Sequence, residues 1–394
     1  MGNRRTFVIV CDSVGIGAAP DAKDFNDVGA HTLKHTAMAK GGIDLPYLNS
    51  GGLGNLAPDV PGLAPVAKTL AYHASLEEVS AGKDTMTGHW ELMGLHIHTP
   101  FRTFTETGFP QPLLEAIERF SGRKIIGNIA ASGTEIIELL GEEHIRTGAL
   151  IVYTSADSVL QIAAHEAIVP LDELYRICAY VRTLTKEEPY VLGRVIARPF
   201  RGEKKGGFQR TSNRKDYALK PYGRTFLDEL KAAGQDVIAL GKIEDIFDGE
   251  GITRSIKHAT NEEGMRNLIQ LTQESFNGLA FINLVDFDAL YGHRRDPLGY
   301  HQALESFDAQ LGQMLQSVNE DDWVVVTADH GNDPTHPGTD HTRELVPLLL
   351  YSQSFKKAKH LGQYRSFATL SRTLASRHGV KASSHGTDLS PLLK

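Results

Sequence analysis

A chain of 394 residues with 41% hydrophobic and 23% charged residues has the makeup of a soluble globular protein, long enough for two domains or one large one with insertions. A net charge of −7 argues against nucleic acid or a membrane surface as the main partner. The two cysteines, Cys11 and Cys178, sit far apart inside apolar runs, as reduced core thiols of a cytoplasmic protein would.

In chain order, the basic start at Arg4-Arg5 leads into an apolar stretch of six residues before Asp12, too short for a signal peptide or a membrane span. Phe7–Cys11 reads as the first strand. Leu113, Leu114 and Ile117 follow Pro110 with helical spacing, and strands are expected at Lys124–Ile126 and Leu150–Tyr153. Leu174, Ile177, Cys178 and Val181 mark one buried helical face. Tyr190–Ile196 is the next strand candidate. A helix through Phe226 and Leu230 ends at Gly234, and Asp236–Leu240 is a further strand. Asn261 is the expected N-cap of a helix through Met265, Leu268 and Leu271. Ala280–Val285, Trp323–Thr327 and Val346–Tyr351 complete the strands. Short runs that are apolar throughout, alternating with helices, predict an α/β fold whose mostly parallel sheet is covered on both faces. The middle differs: Arg194 to Arg224 carries ten Lys/Arg against Glu203 and Asp216. The expected organisation is a core built from 1–97 and 222–394, interrupted by a smaller α/β domain at 98–221.

Several strand ends carry acid or imidazole. Asp12 follows the first strand, Asp286 and Asp288 follow Val285, with His293 beyond them, and Asp329-His330 follows Thr327, with His341 eleven residues on. The carboxyl edge of an open α/β sheet is where ligands bind. Taken singly, Asp12 also fits a turn or cap residue and His293 a solvated loop histidine. Asp286 and Asp288 would alternate in direction on a strand, so one of them at most faces the site. His336 reads as structural. Together, Asp12, Asp288, His293, Asp329, His330 and His341 offer oxygen and nitrogen donors for two divalent ions. A set without thiolate suits Mn²⁺, Zn²⁺ or Mg²⁺, and its oxygen content leans to Mn²⁺. Paired ions stabilise attacking and leaving oxygens in phosphoryl transfer.

A nucleophile is expected in Gly82-Lys83-Asp84-Thr85-Met86-Thr87-Gly88-His89, ahead of an apolar run. A hydroxyl at a helix N-terminus benefits from the dipole. Thr85 and Thr87 both qualify, and both also fit as simple caps. Spacing slightly favours Thr85, placed as an N-cap with Gly88-His89 turning beneath it.

These residues resemble a known family. Asp12-Ser-Val-Gly-Ile-Gly17, Gly82-Lys-Asp-Thr-Met-Thr-Gly-His-Trp-Glu91, Thr154-Ser-Ala-Asp-Ser158 and Gly193-Arg-Val-Ile-Ala-Arg-Pro199 look like bacterial phosphopentomutases. So do Asp286-Phe-Asp288 with Gly292-His-Arg-Arg-Asp296, Thr327-Ala-Asp-His-Gly-Asn-Asp333 and Gly338-Thr-Asp-His-Thr342. The resemblance spans nearly the whole chain. The Thr-Ala-Asp-His-Gly-Asn string alone is shared with phosphoglycerate mutases and other members of the alkaline phosphatase superfamily. Asn26, His31 and Lys34 depart from the family pattern at positions that are not ligands.

The resemblance implies an alkaline-phosphatase-like core with an inserted cap, and interconversion of ribose 1-phosphate and ribose 5-phosphate, with the 2-deoxy sugars also accepted. It implies that Thr85 carries the phosphoryl group. Asp12, Asp329 and His330 would hold one Mn²⁺, and Asp288, His293 and His341 the other. Ser155, Asp157, Arg194, Arg210 and Lys242 would contact substrate, and glucose 1,6-bisphosphate or a pentose bisphosphate would charge Thr85. The expected partners are small pentose phosphates, with no nucleic acid and no membrane, and a monomer is favoured.

Overall fold

The structure, a computed structural model, describes residues 4–155 and 158–394. The chain divides into two compact units, Met1–Pro100 with Pro221–Lys394, and Phe101–Lys220. The described strands are β1 (Arg5–Cys11), β2 (Ala71–Glu77), β3 (Ile125–Ala130), β4 (Leu150–Thr154), β5 (Val159–His165), β6 (Arg194–Arg201) and β7 (Gln209–Arg210). They continue with β8 (Lys215–Ala218), β9 (Asp236–Leu240), β10 (Arg254–Ile256), β11 (Gly278–Leu284), β12 (Trp323–Thr327), β13 (Val346–Tyr351) and β14 (His360–Arg365). No helix among the described residues is long and apolar enough to cross a membrane.

The first unit carries an eight-stranded sheet in the order β10-β9-β11-β1-β12-β13-β2-β14. From β10 to β12 neighbours run parallel. Every residue of β1, β11, β12 and β13 is buried, the environment that makes these strands predominantly apolar. Register decides which strand ends meet. Cys11 lies beside Leu284, and Val10 beside Thr327, so three strands end level with one another. Asp12, the segment after Leu284, and Asp329 therefore emerge at one edge.

Some expectations need correction. The large sheet is mostly parallel as expected, and β13 is the exception, antiparallel to both β12 and β2, because burial on two faces dictates composition but not direction. The Tyr190–Ile196 strand is in fact Arg194–Arg201: Leu192 N–H bonds back to Thr185 O, and pairing with β5 begins at Arg194. The strand expected at Lys124–Ile126 runs on to Ala130, with Gly127-Asn128 taken up as an irregularity and Asn128 at φ +57°. Thr260, not Asn261, caps the helix Asn261–Leu271 by accepting Glu263 N–H. Asn261 instead exchanges hydrogen bonds with Asp286: its N–H donates to Asp286 Oδ2 at 2.7 Å, and its Oδ1 accepts Asp286 N–H at 3.0 Å.

That exchange draws Asp286 away from the sheet edge. After β11 the chain does not continue as a strand. It forms a π-helix, Phe287–Gly292, closed by His293 N–H to Asp288 O at 2.9 Å.

In the second unit the strand order is β3-β4-β5-β6-β7, with β8 also on β6. Helices Gln111–Ser121 and Leu171–Leu184 bury Leu113, Ile117, Leu174, Ile177, Cys178 and Val181 with Val152, Ile162 and Val195. The helix Gly133–Thr147 packs Ile136 and Ile137 with Ile151, Tyr153 and Phe200. Both cysteines are free and buried.

One buried acid makes stability pH-dependent. Asp308, in the helix Pro297–Ser317, accepts Leu48 N–H at 2.7 Å and Tyr47 N–H at 3.1 Å, supplying the missing cap of the short helix Pro46–Ser50. Burial pushes its carboxyl up to about 6. A raised acid favours the protonated folded state, so this contribution is complete below the unfolded value near 4 and is lost as pH rises through about 6. Melting curves of wild type and Asp308→Asn should converge or diverge with pH only across that window. Parallel curves from pH 4 to 7 would contradict it.

Candidate metal centre

Thr85 opens the helix Thr85–Leu92. The N-cap is Asp84: its Oδ1 accepts Met86 N–H at 3.1 Å and Thr87 N–H at 3.2 Å, so Thr85 is the first helical residue rather than the cap. Thr87 Oγ1 donates to Asp84 Oδ2 at 2.5 Å and serves the cap. Thr85 Oγ1 instead lies 3.1 Å from His330 Nε2. Gly88 and His89 belong to the helix, not to a turn beneath it. A Cβ on Gly88 would fall 2.1 Å from Asp329 O, so only glycine lets this helix lie against the strand end.

Two donor groups meet there. Asp12, Asp329 and His330 form one, and Asp288, His293 and His341 the other, with their ligand atoms within 4.8 Å of one another in each group. His330 Nε2 is 3.3 Å from Asp12 Oδ1 and 3.4 Å from Asp329 Oδ2. Asp288 reaches His293 Nε2 with Oδ2 at 3.1 Å and His341 Nε2 with Oδ1 at 3.5 Å. The His330 and His341 rings are 4.1 Å apart between centroids, which makes the groups neighbours. Two Nδ1 atoms have carbonyl partners, Gly331 O for His330 at 3.0 Å and Thr339 O for His293 at 2.8 Å. A carbonyl only accepts, so Nδ1 carries the proton and Nε2 presents its lone pair to the cluster.

Asp12 Oδ1, Asp329 Oδ2 and His341 Nε2 are buried without a hydrogen bond. Orphaned carboxylate and imidazole atoms converging in this way are costly for a protein alone and suit a divalent cation. The sequence matches the family described as the metalloenzyme superfamily over residues 4–382.

The chain belongs to the metalloenzyme superfamily.

Its fold is that of the alkaline-phosphatase-like proteins. It is similar to the PH0037 protein from Pyrococcus horikoshii at 12% identity and a TM-score of 0.51, covering 98% of this chain and 100% of that one. It is also similar to the Leishmania mexicana phosphoglycerate mutase solved at low cobalt concentration, at 13% identity and a TM-score of 0.50, covering 98% and 97%. At such identities the likeness speaks for the fold alone.

Electrostatics in the metalloenzyme cluster are those of a site short of positive charge. Burial pushes the Asp12 carboxyl up, and the Asp329 charge adds to it. Burial would also raise Asp288, yet His341 and His293 outweigh it and hold the carboxyl well below the usual range. For Asp329, His330 and His89 overcome burial in the same direction. Burial disfavours charge on His330, but Asp329 and Asp12 push it well up.

Several residues around the centre are not singled out by sequence. Asn283 Nδ2 donates to Asp12 Oδ2 at 3.0 Å, and Asn332 Nδ2 donates to Asp288 Oδ1 at 2.7 Å. His89 Nδ1 lies 3.0 Å from Asp329 Oδ2 and 2.9 Å from Thr85 O. The fully buried Arg343 grips the segment leading to Thr85: Nη1 donates to Gly82 O at 2.8 Å, Ser80 O at 3.0 Å and Glu78 Oε2 at 2.6 Å. Asn283 inside an otherwise apolar strand is the one clue the sequence carried, since a buried amide there needs a partner.

Of the remaining expected residues, Lys242 follows β9 at the carboxyl edge of the large sheet and is exposed. His336 Nε2 meets Asn26 O at 3.2 Å, a structural contact. In the second unit Ser155 and Arg194 are half-buried and Arg210 exposed. Arg210 lines a cavity of about 380 Å³ with Arg198, Pro199, Thr211 and Arg214. Asp157 lies outside the described residues.

Proposed function

We propose that this metalloenzyme is a phosphopentomutase, an intramolecular phosphotransferase that interconverts ribose 1-phosphate and ribose 5-phosphate and their 2-deoxy counterparts. The observation that carries the phosphoryl-transfer part is Thr85 Oγ1, at a helix N-terminus and 3.1 Å from His330 Nε2, while Thr87 is committed to the cap. The pentose part is supported by the resemblance of the motifs around Thr85, Thr154–Ser158 and Gly193–Pro199 to that family.

In this reading phosphothreonine 85 meets the free hydroxyl of a pentose monophosphate. A bond forms from that hydroxyl oxygen to phosphorus, the Oγ1–P bond breaks, and in net the hydroxyl proton passes to the released Oγ1. The resulting bisphosphate returns its other phosphoryl group to Oγ1. Two bound Mn²⁺ ions would neutralise the phosphoryl oxygens and favour the alkoxide of Thr85. The chain's own contribution is orientation. The positive end of the helix faces Oγ1, and Asn283, Asn332 and Arg343 fix the carboxylates and the Thr85 segment. Arg194, Arg210, Ser155, Asp157 and Lys242 are the proposed substrate contacts, with guanidinium groups taking the phosphate that is not in flight. The neighbouring Arg198 supports an anion there: burial, and the guanidinium groups of Arg214 and Arg210, lower its pKa. Glucose 1,6-bisphosphate or a pentose bisphosphate would supply the first phosphoryl group. The proposed setting is a cytoplasmic monomer.

The test is phosphorus NMR of the purified, Mn²⁺-loaded protein with a trace of glucose 1,6-bisphosphate. Ribose 5-phosphate should equilibrate with ribose 1-phosphate while inorganic phosphate stays flat. Stoichiometric phosphate release would make the protein a phosphatase or phosphodiesterase on the same core. Tight binding of the sugar phosphate with no reaction would make it a binding protein.

A further inference from the structure

The two carboxylate oxygens of Asp329 have different surroundings. Oδ1 accepts the backbone N–H of Ser13 at 3.1 Å. Oδ2 is buried, lies 3.0 Å from His89 Nδ1, whose proton is turned to Thr85 O, and 3.4 Å from His330 Nε2. The hydrogen bond from the Ser13 amide therefore sorts the two oxygens, holding Oδ1 and leaving Oδ2 on the side of His89 and His330.

That amide is aimed by an unusual backbone. Ser13 has φ +74°, in the left-handed region that a side chain with a Cβ enters at a cost. Its neighbours Val14 and Gly15 bond back to Cys11 O at 3.0 Å and to Ser13 O at 2.9 Å, closing a tight turn directly after β1. Glycine would take this conformation without strain, yet the position holds serine. The hydroxyl explains the choice: Ser13 Oγ lies 3.0 Å from Tyr300 Oη. Both side chains are fully buried, and Tyr300 is wedged in the first turns of the helix Pro297–Ser317 with its ring stacked on Phe287. Phe287 itself belongs to the π-helix that carries Asp288.

We propose that Tyr300 and Ser13 are positioning residues for the Asp12–Asp329–His330 group: Tyr300 holds the Ser13 hydroxyl, the held turn aims the Ser13 N–H at Asp329 Oδ1, and Oδ2 is thereby presented to the cation. Neither side chain touches the cation or the substrate. The inference rests on the cation reading of the cluster and not on the mutase reading, so it stands whichever phosphoryl acceptor the enzyme uses.

Calorimetric titration of chelator-stripped, full-length protein with Mn²⁺ tests it, alongside melting of the cation-free form. Tyr300→Phe and Ser13→Ala should each weaken one of the two Mn²⁺ sites by roughly tenfold or more, the usual effect of losing an outer-shell partner. The other site should keep its wild-type affinity. The double variant Ser13→Ala/Tyr300→Phe leaves no orphaned hydroxyl, so its cation-free melting should stay near wild type while the weakened site persists. Wild-type affinity at both sites in the double variant would overturn the proposal. Equal weakening at both sites, tracking a lower melting temperature, would overturn it too, since that is the mark of a core contact with no aim. Failure of wild-type protein to bind Mn²⁺ at all would remove the cation reading and this inference with it.

Discussion

Thr85→Ala is expected to lower mutase turnover by roughly three orders of magnitude or more, the scale on which loss of a covalent nucleophile registers. The protein should still fold and bind Mn²⁺, because Thr85 Oγ1 caps nothing: the cap is Asp84, whose carboxylate accepts from Met86, Thr87 and the Thr87 hydroxyl. Thr87→Ala is the matched control. It removes one hydrogen bond to Asp84, costs about 1 kcal/mol of stability, and should leave turnover within a few fold. Peptide mapping after incubation with glucose 1,6-bisphosphate and Mn²⁺ should find the phosphoryl group on Thr85. Label on Thr87, or full turnover by Thr85→Ala, would refute the nucleophile assignment.

Stripping the protein with a chelator should abolish turnover and lower the melting temperature, and Mn²⁺ should restore both. The physical reason is the density of buried acid. Asp12, Asp288 and Asp329 are at most 6% exposed, and an imidazole that serves as a metal ligand is neutral, so three buried carboxylates need the cation's charge. At about a thousandfold excess over its dissociation constant, a cation bound only to the folded state stabilises it by about 4 kcal/mol. The effect should grow with pH. Asp329 and Asp12 push His330 well up, so a proton competes with the cation until the solution is alkaline enough to remove it. Differential scanning calorimetry at pH 6 and pH 8, with and without Mn²⁺, reads both parts. A melting temperature indifferent to chelator would rule out a cation at this centre.

How much of the site is legible in the sequence depends on the kind of residue. Asp12, Asp329 and His330 are legible because each follows an apolar run, and it is their joint occurrence that separates ligands from the turn and cap residues each could be alone. Asp288 is visible only as one of a pair. What separates it from Asp286 is the hydrogen-bond exchange with Asn261, which local alternation cannot foresee. The Asn283–Asp12 and Asn332–Asp288 contacts depend on the register between strands far apart in sequence. Ser13 looks like an ordinary turn residue, because φ is not written in residue type. The antiparallel course of β13 and the irregularity at Asn128 escape for the related reason that composition reports burial and not direction.

The π-helix Phe287–Gly292 gives the site a dependence on residue count. Asp288 and His293 face each other because a five-residue hydrogen bond, His293 N–H to Asp288 O, holds one residue more than an α turn would. Loss of one residue between them would leave the pair four apart, the spacing of an ordinary α turn, which could close and keep His293 beside Asp288. Gain of one residue would set them six apart, a spacing that neither turn closes, and His293 would leave Asp288 while every donor in the sequence remained present. In this stretch substitutions are therefore cheap compared with a single-residue insertion, and an upper limit on the spacing is a tighter constraint than the identity of Ala289, Leu290 or Tyr291.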